Sequence, residues 1–373
     1  MTNAPGTERG TRRTLHARRV LVAACLTVAC SSLSTQAIDT PADRAAHAGR
    51  VGPTPFGPAG RNEGGCANGR TMTVHFYDVG QALAALVDLP DGRHVLVDTA
   101  DSPRRSGCAD CAAANRHLLA MLAGDLHGAP IDLLWITHQH SDHIGGAPHV
   151  LEAFSVGVYA DNHRDLDRED VRLAHRAAGR RGVAIRVVDP YHVGPPLAGS
   201  PGVKLAAVVP RRWPASCAHD PNECSAGLRI DFCASSVLFT GDAEHDEQAA
   251  LDDAELGGAV TLLQVAHHGS DTSTTPGFLA RTRPKYAVIS AGKPAVGLNR
   301  EYCHPRALVV ERLARALGGG PGGTLAAFDG ERCGNARSGG WIDVPTTARL
   351  WATERDGDVV LTTAGDGAFT RRP

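Results

Sequence analysis

The sequence predicts an α/β fold: packed β-sheets with helices on their outer faces, in one continuous domain over residues 70–371. Three observations predict it. Short apolar runs rich in Val, Leu and Ile recur from "MTVHFYDVG" (72–80) to "DVVLTT" (358–363), each of strand length. Helical segments separate some of these runs while others follow one another directly, so strand pairs mix with single helices. The chain is 42% hydrophobic but only 5% aromatic, which leaves the core to aliphatic side chains. There is no internal repeat.

The N-terminal segments come first. Arg9, Arg12, Arg13, Arg18 and Arg19 precede the apolar stretch Val20–Ala29, which is too short to span a bilayer. Residues 1–37 therefore read as a secretory signal, with Ala37 a candidate cleavage site. "TRRTL" (11–15) is similar to a twin-arginine export signal, and "TVAC" ending at Cys30 offers the alternative of a lipoprotein box, which Thr27 fits poorly. Residues 38–69 are rich in Pro and Gly and read as a flexible tether. The expected product is exported, periplasmic or secreted, with no stable membrane span.

Within the domain, strands are expected at "ALAALVDL" (82–89), "RHVLVDT" (93–99), "IDLLWI" (131–136), "VGVYA" (156–160) and "VAIRVV" (183–188). They continue at "VKLAAVV" (203–209), "GLRIDFC" (227–233), "SVLFTGD" (236–242), "AVTLLQVA" (259–266), "YAVISAG" (286–292) and "TLAAF" (324–328). Helices are expected near 112–123, after Gly146, over 165–181, 244–255 and 276–283, and over 305–317.

Removing residues 1–37 takes away five arginines and one glutamate and leaves 33 basic against 39 acidic residues, a net charge of −6. Lysine occurs only at 204, 285 and 293, so arginine supplies nearly all the positive charge. A net acidic chain argues against a binder that grips long nucleic acid through many phosphates. Of ten cysteines, Cys25 and Cys30 lie in the signal, leaving Cys66, Cys108, Cys111, Cys217, Cys224, Cys233, Cys303 and Cys333. An even number in an exported chain favours disulfides. "CADC" (108–111) has redox or zinc spacing, but no second such pair completes a four-thiolate site. Proximity suggests Cys217 with Cys224 and Cys303 with Cys333.

The chemistry concentrates in "THQHSDHIGG" (137–146), directly after a buried strand. Imidazole suits zinc, iron or manganese, and a carboxylate adds a hard ligand able to bridge. In an extended loop alternate residues share a side, so His138, His140 and Asp142 would converge while His143 turns to a second centre. "VLFTGD" presents Asp242 at a strand tip, and "LLQVAHHGS" does the same with His267 and His268. Three strands that each end in ligands suit a site for two divalent metal ions, zinc by preference and manganese as the alternative. His163, His175 and His192 read as surface residues.

These motifs resemble the metallo-β-lactamase superfamily over roughly residues 70–363. "HVLVDTA" with Asp98 is similar to its first motif, residues 138–143 to its second, Asp242 to its fourth and His267–His268 to its fifth. The order of "FYDVGQ", "NECS", "HHGSDTS", "YAVISAG" and "NREYCHP" is similar to the nuclease-like domain of ComEC-type competence proteins. The resemblance implies a four-layer αββα sandwich and metal ligands His138, His140, Asp142, His143, Asp242 and His268. It implies catalytic roles for Asp142, His267 and His304, and substrate contacts for Asn222, Ser225, Ser270 and Asn299. Asp98 is implied to orient a ligand histidine. His304 precedes Pro305, and a helix start is the plainer reading of it.

Two departures stand out. Gln81 is followed by Ala82 and Leu83 where the competence pattern continues with Gly and Asp. The third-motif histidine has no counterpart; Asn222 and Ser225 occupy that region, with His219 as a local alternative. The implied function is an exported, dinuclear-metal-dependent hydrolase, in the first place a phosphodiesterase or nuclease for small diesters or short single-stranded nucleic acid. The alternatives are β-lactam or lactone hydrolysis, a phosphorylcholine esterase, and a non-catalytic metal- or DNA-binding accessory protein.

Overall fold

The computed structural model describes Cys66 and residues 69–194, 197–331, 333 and 339–373. The expected signal, and the tether apart from Cys66 and Gly69, lie outside the described residues.

Fourteen of the strands make two sheets. The first is built from β1 (Met72–Phe76), β2 (Ala85–Asp88), β3 (His94–Val97), β4 (Ile131–Trp135), β5 (Val156–Asp161), β6 (Ala184–Val187), β15 (Val359–Thr363) and β16 (Thr370–Arg371), in the order β16-β15-β1-β2-β3-β4-β5-β6. The second, in the order β14-β11-β10-β9-β8-β7, uses β7 (Val203–Val208), β8 (Gly227–Phe232), β9 (Ser235–Phe239), β10 (Leu262–Gln264), β11 (Tyr286–Ile289) and β14 (Leu350–Ala352). A hairpin of β12 (Pro321–Gly330) and β13 (Gly339–Thr347) stands apart from both.

Side-chain alternation assigns the layers. Leu133 and Trp135 of β4 share a core with Leu228, Ile230, Val237 and Phe239 of the second sheet. Leu134 and Ile136 face the other way, onto α1 (Cys111–Leu126), α3 (Ala147–Ala153) and α4 (Glu169–Arg181). Leu238 of β9 turns outward onto α7 (Pro276–Thr282) and α9 (Ala307–Leu317), whose Val309, Val310, Leu313 and Leu317 form one helical stripe. The result is the αββα sandwich. Trp135 fastens the sheets, because its Nε1–H donates to Ala226 O at 2.7 Å across the interface.

The expected helix over 244–255 is instead two: α5 (His245–Ala250) and α6 (Asp253–Leu256). Asp252 is the reason. It caps α6 in a reciprocal box with Glu255, and Leu251 before it is extended. The charged helix starts at Glu169 rather than 165, with Glu169 and Asp170 in its first turn and Arg180 and Arg181 in its last, signs that favour the helix dipole. Of the short helices, α2 (Ser141–Ile144), α8 (Asn299–Tyr302) and α10 (Thr353–Asp356), the first matters most below.

The eight cysteines among the described residues are all paired: Cys66–Cys233, Cys108–Cys111, Cys217–Cys224 and Cys303–Cys333. The two proximity pairings hold. Cys66–Cys233 spans 167 residues of sequence, and closing so long a loop removes on the order of 4–5 kcal/mol of freedom from the unfolded chain. Among the described residues, no helix is long and apolar enough to cross a membrane.

Candidate metal centre

Strands β3, β4 and β5 are parallel, as are β9, β10, β11 and β14, so the C-terminal ends of each set lie at one edge. At that edge the segments after β3, β4, β9, β10 and β11 meet. The loop after β4 is not extended. Ser141–Ile144 form a helical turn begun at His140, with His143 N–H and Ile144 N–H both donating to His140 O at 3.0 Å. This corrects the expected alternation: Asp142 falls in with His143 rather than with His138 and His140. Gly145 and Gly146 let the turn close against β3, since a Cβ would lie 2.2 Å from Ser102 N on the first and 2.0 Å from Thr99 O on the second.

Asp142, His143, Asp242 and His268 bring one donor atom each within 4.8 Å of one another. His143 Nε2 is 3.1 Å from Asp242 Oδ1 without the alignment of a hydrogen bond, and His268 Nε2 is 3.4 Å from Asp142 Oδ2 and 3.6 Å from Asp242 Oδ2. His138 Nε2 is 3.9 Å from the same Asp242 Oδ2 and 3.1 Å from His140 Nδ1. Asp242 thus faces both groups of imidazoles.

The far ring nitrogens are held from behind. His143 Nδ1 is 2.7 Å from Asp98 Oδ2, and His268 Nδ1–H donates to Ser290 O at 2.7 Å. Asp98 also accepts from Thr137 N–H and Thr137 Oγ1–H, each at 2.8 Å. Such outer hydrogen bonds fix a tautomer and turn the opposite nitrogen's lone pair toward a metal.

Three buried atoms aimed at this spot, His143 Nε2, His268 Nε2 and Asp242 Oδ1, lack any hydrogen-bond partner. Buried polar atoms left unpaired are costly, and a cation would satisfy all three. The titration of the site says the same. Burial disfavours charge on Asp242, yet the His143, His268 and His267 imidazoles hold its carboxyl well below the usual range. Burial alone would lower His143, but Asp242 and Asp98 draw it well above the ordinary imidazole value. His138 is held low by burial and by His143 beside it. Buried carboxylates thus draw positive charge into the centre, and an N/O donor set of this kind fits zinc or manganese.

A cavity of about 840 Å³ opens over the centre, lined by His140, Asp142, Asn222, Asp242, His267 and His304 on its floor and walls. His267, His268 and Gly269 are consecutive left-handed residues, a costly conformation that points the two imidazoles different ways. His268 goes inward; His267 faces the cavity, its Nδ1 2.8 Å from Glu244 Oε1. Glu244 and Asp242 raise His267 against the effect of burial. His304, whose ring centroid lies 5.2 Å from that of His267, has Nδ1 3.3 Å from the Gln81 amide Nε2.

A model of the metallo-β-lactamase superfamily matches residues 77–293. The chain belongs to that superfamily. Among curated proteins it is 29% identical over 253 residues to Recombination protein 2 of Haemophilus influenzae, covering 66% of this chain and 27% of that protein. It is 28% identical over 259 residues to ComE operon protein 3 of Bacillus subtilis, covering 65% and 30%. To Competence protein ComA of Neisseria gonorrhoeae it is 28% identical over 248 residues, covering 64% and 29%. The chain thus spans under a third of the length of these relatives. A solved structure, the metallo-β-lactamase fold protein YhfI from Bacillus subtilis, aligns at 14% identity with a TM-score of 0.34, covering 52% of this chain and 70% of that one.

For a metallo-β-lactamase fold chain the region of the third motif is unusual. Asn222 Oδ1 lies 2.7 Å from His140 Nδ1, where that motif would bring a histidine, and its Nδ2–H donates to Glu244 at 3.3 Å. The alternative, His219, is exposed and does not line the cavity. Three residues expected on the substrate, Asn299, Ser225 and Ser270, are not among those that line the cavity. Asn299 is fully buried, its amide donating to Gly292 O and His304 O and accepting from His304 N–H, so it clamps the loop that carries His304. Ser225 Oγ accepts from Asp242 N–H at 3.1 Å behind the centre, and Ser270 Oγ is taken up by Thr272 Oγ1 at 2.9 Å. His175 is not a plain surface residue either; its Nε2 is 2.7 Å from the buried Asp161. Glu244 went unread although it lies two residues past Asp242. Only the loop's return toward His267 gives it a place at the site.

Proposed function

We propose that the protein is an exported phosphodiesterase that cleaves small diesters or short single-stranded nucleic acid with the help of two divalent cations, zinc or manganese. The observation that carries this reading is Asp242. Its Oδ2 lies 3.9 Å from His138 Nε2 and 3.6 Å from His268 Nε2, and its Oδ1 3.1 Å from His143 Nε2, at the floor of a cavity roomy enough for a nucleotide. Asp142, His143 and His268 would hold one cation, His138 and His140 the other, with Asp242 common to both. Cations bound there supply Lewis acidity and bring the pKa of water toward neutrality.

The remaining work falls to the chain. Asp98 and Ser290 O fix the His143 and His268 rings from behind. His267, its Nδ1–H given to Glu244, presents Nε2 to the cavity, where it can donate to a phosphoryl or leaving-group oxygen. Gln81 Nε2–H donates to His304 Nδ1, which leaves His304 Nε2–H directed at bound substrate. Relatives named for recombination and competence favour a phosphate diester over a carbon ester, and four disulfides favour export.

The test is a panel on the metal-replete protein: bis-p-nitrophenyl phosphate, single-stranded DNA, a phosphorylcholine ester and a chromogenic β-lactam. Turnover of the first two is expected. Turnover of only the choline ester or the β-lactam would overturn the reading, and no turnover of any would favour a non-catalytic role.

A further inference from the structure

The cavity is larger than the metal centre needs, and its outer wall is of a different chemistry from its floor. Away from Asp142 and Asp242 it is lined by Arg104, Arg105, Arg168 and Tyr302. At about 840 Å³ it falls in the range of roughly 300–1,000 Å³ that takes a drug-sized ligand. Arg105 is held rather than waving: its Nη1–H donates to Asp101 Oδ2 and its Nη2–H to Tyr302 Oη, each at 2.7 Å. Asp101 is buried and is itself fixed by Ser141 Oγ and Ser102 N–H. Because Ser141 sits between His140 and Asp142, the same turn that sets the metal ligands also sets the aim of this guanidinium. Two of its five N–H donors are spent in this way, which leaves others for a ligand.

Arg168 stands at the start of α4 and lines the same cavity. Arg104 and Arg168 are exposed. The carboxylates on this rim are Glu169 and Asp170, next to Arg168 in sequence. In a chain so poor in lysine, three guanidiniums around one opening form a set of planar forks, and forks of this kind match phosphate oxygens two at a time.

We infer that Arg104, Arg105 and Arg168 form a second phosphate subsite, which takes the phosphate one nucleotide away from the diester lying over the metal centre. The inference rests on the phosphodiesterase reading and narrows its substrate to a short strand that carries a terminal or neighbouring phosphate. Arg105, already oriented, gives the subsite its position; Arg104 and Arg168 close on the anion from the rim. The subsite counts few phosphates, so it coexists with an overall net negative chain.

The experiment is calorimetric titration of the metal-replete chain with two slowly cleaved probes, dithymidine phosphorothioate with and without a 5′-phosphate. The 5′-phosphate is expected to tighten binding about 10- to 100-fold, the size of one charge-assisted contact. Arg104→Gln combined with Arg168→Gln alters only exposed side chains and should cut that preference at least fivefold; Arg105→Gln should do the same, but it also strips Asp101 of its partner, so the exposed pair is the primary variant. Equal affinities for the two probes in the wild type, or a preference that survives the exposed pair, would overturn the subsite. Cleavage of unmodified dithymidylate is followed alongside. A preserved preference with no cleavage would sink the phosphodiesterase reading and leave the subsite standing, whereas cleavage with equal affinities would sink the subsite alone.

Discussion

Replacing Asp98 by alanine should do more damage than any change at the cavity surface. Its carboxylate accepts from three buried donors: Thr137 N–H, Thr137 Oγ1–H and His143 Nδ1–H. Each donor left unpaired costs about 1–3 kcal/mol. Asp98 also sits at φ 56°, a left-handed conformation that aspartate tolerates better than alanine. The three donors together come to about 3–9 kcal/mol, enough to consume much of a domain's stability of about 5–15 kcal/mol. Asp98→Asn keeps the shape and one acceptor but offers N–H where His143 needs an oxygen, so the ring loses its fixed tautomer. That variant should fold and bind zinc about 10- to 100-fold more weakly. Urea unfolding of the chelated protein reads the first effect, and competition against a chromogenic zinc chelator reads the second. If Asp98→Ala unfolds at the wild-type urea concentration, or Asp98→Asn holds zinc as tightly as wild type, the reasoning fails.

Asp242→Ala should abolish activity and remove both metal equivalents in elemental analysis, whereas His140→Ala should keep about one; equal metal loss in the two would deny Asp242 its shared place. Denatured, unreduced protein should show almost no reactive thiol, and six or more would contradict the four disulfides. Glu354 is buried with both carboxylate oxygens unpaired, and burial pushes its pKa up to about 8 despite Arg355 beside it. A raised carboxyl contributes stability that is complete below the unfolded value near 4.5 and is lost as pH rises through 8. Wild type should therefore lose on the order of 2–5 kcal/mol from pH 5 to 9 that Glu354→Gln does not, measured by urea melts. Cleavage of a short single strand at limiting substrate should fall by less than about tenfold from 50 to 200 mM salt, as for one or two phosphates contacted; a thousandfold fall would show a basic groove that the net charge conceals.

The fold was legible where one side-chain period ruled a stretch. "IDLLWI" and "SVLFTGD" are buried on both faces, and continuous apolar runs of that length have few other structures to adopt. Legibility failed where a single capping residue outweighed periodicity, as Asp252 does in splitting the helix over 244–255, and where pairing was remote, as for β14, which pairs with β11. At the site, the ligand types were readable because so many imidazoles and carboxylates at strand ends have few other uses. Their grouping was not, because it turns on whether Ser141–Ile144 is extended or helical, and that is decided by the closure of Gly145 and Gly146 onto β3. Asn299, Ser225 and Ser270 look like substrate contacts in sequence for the same reason they matter in structure: each lies beside a ligand or a cavity residue. Only the hydrogen bonds show that they brace the chain instead.

The ligands do not all belong to one sheet. His138, His140, Asp142 and His143 follow β4 of the first, while Asp242 and His268 follow β9 and β10 of the second. Cations held at this place would act as rivets between the two sheets. Their occupancy would then bear on the stability of the fold as well as on catalysis. A ligand bound only by the folded state adds RT ln(1 + [L]/Kd), about 2.7 kcal/mol when free ion stands a hundredfold above its dissociation constant. Starved of metal, the two sheets would lose that clamp at the edge where the cavity opens.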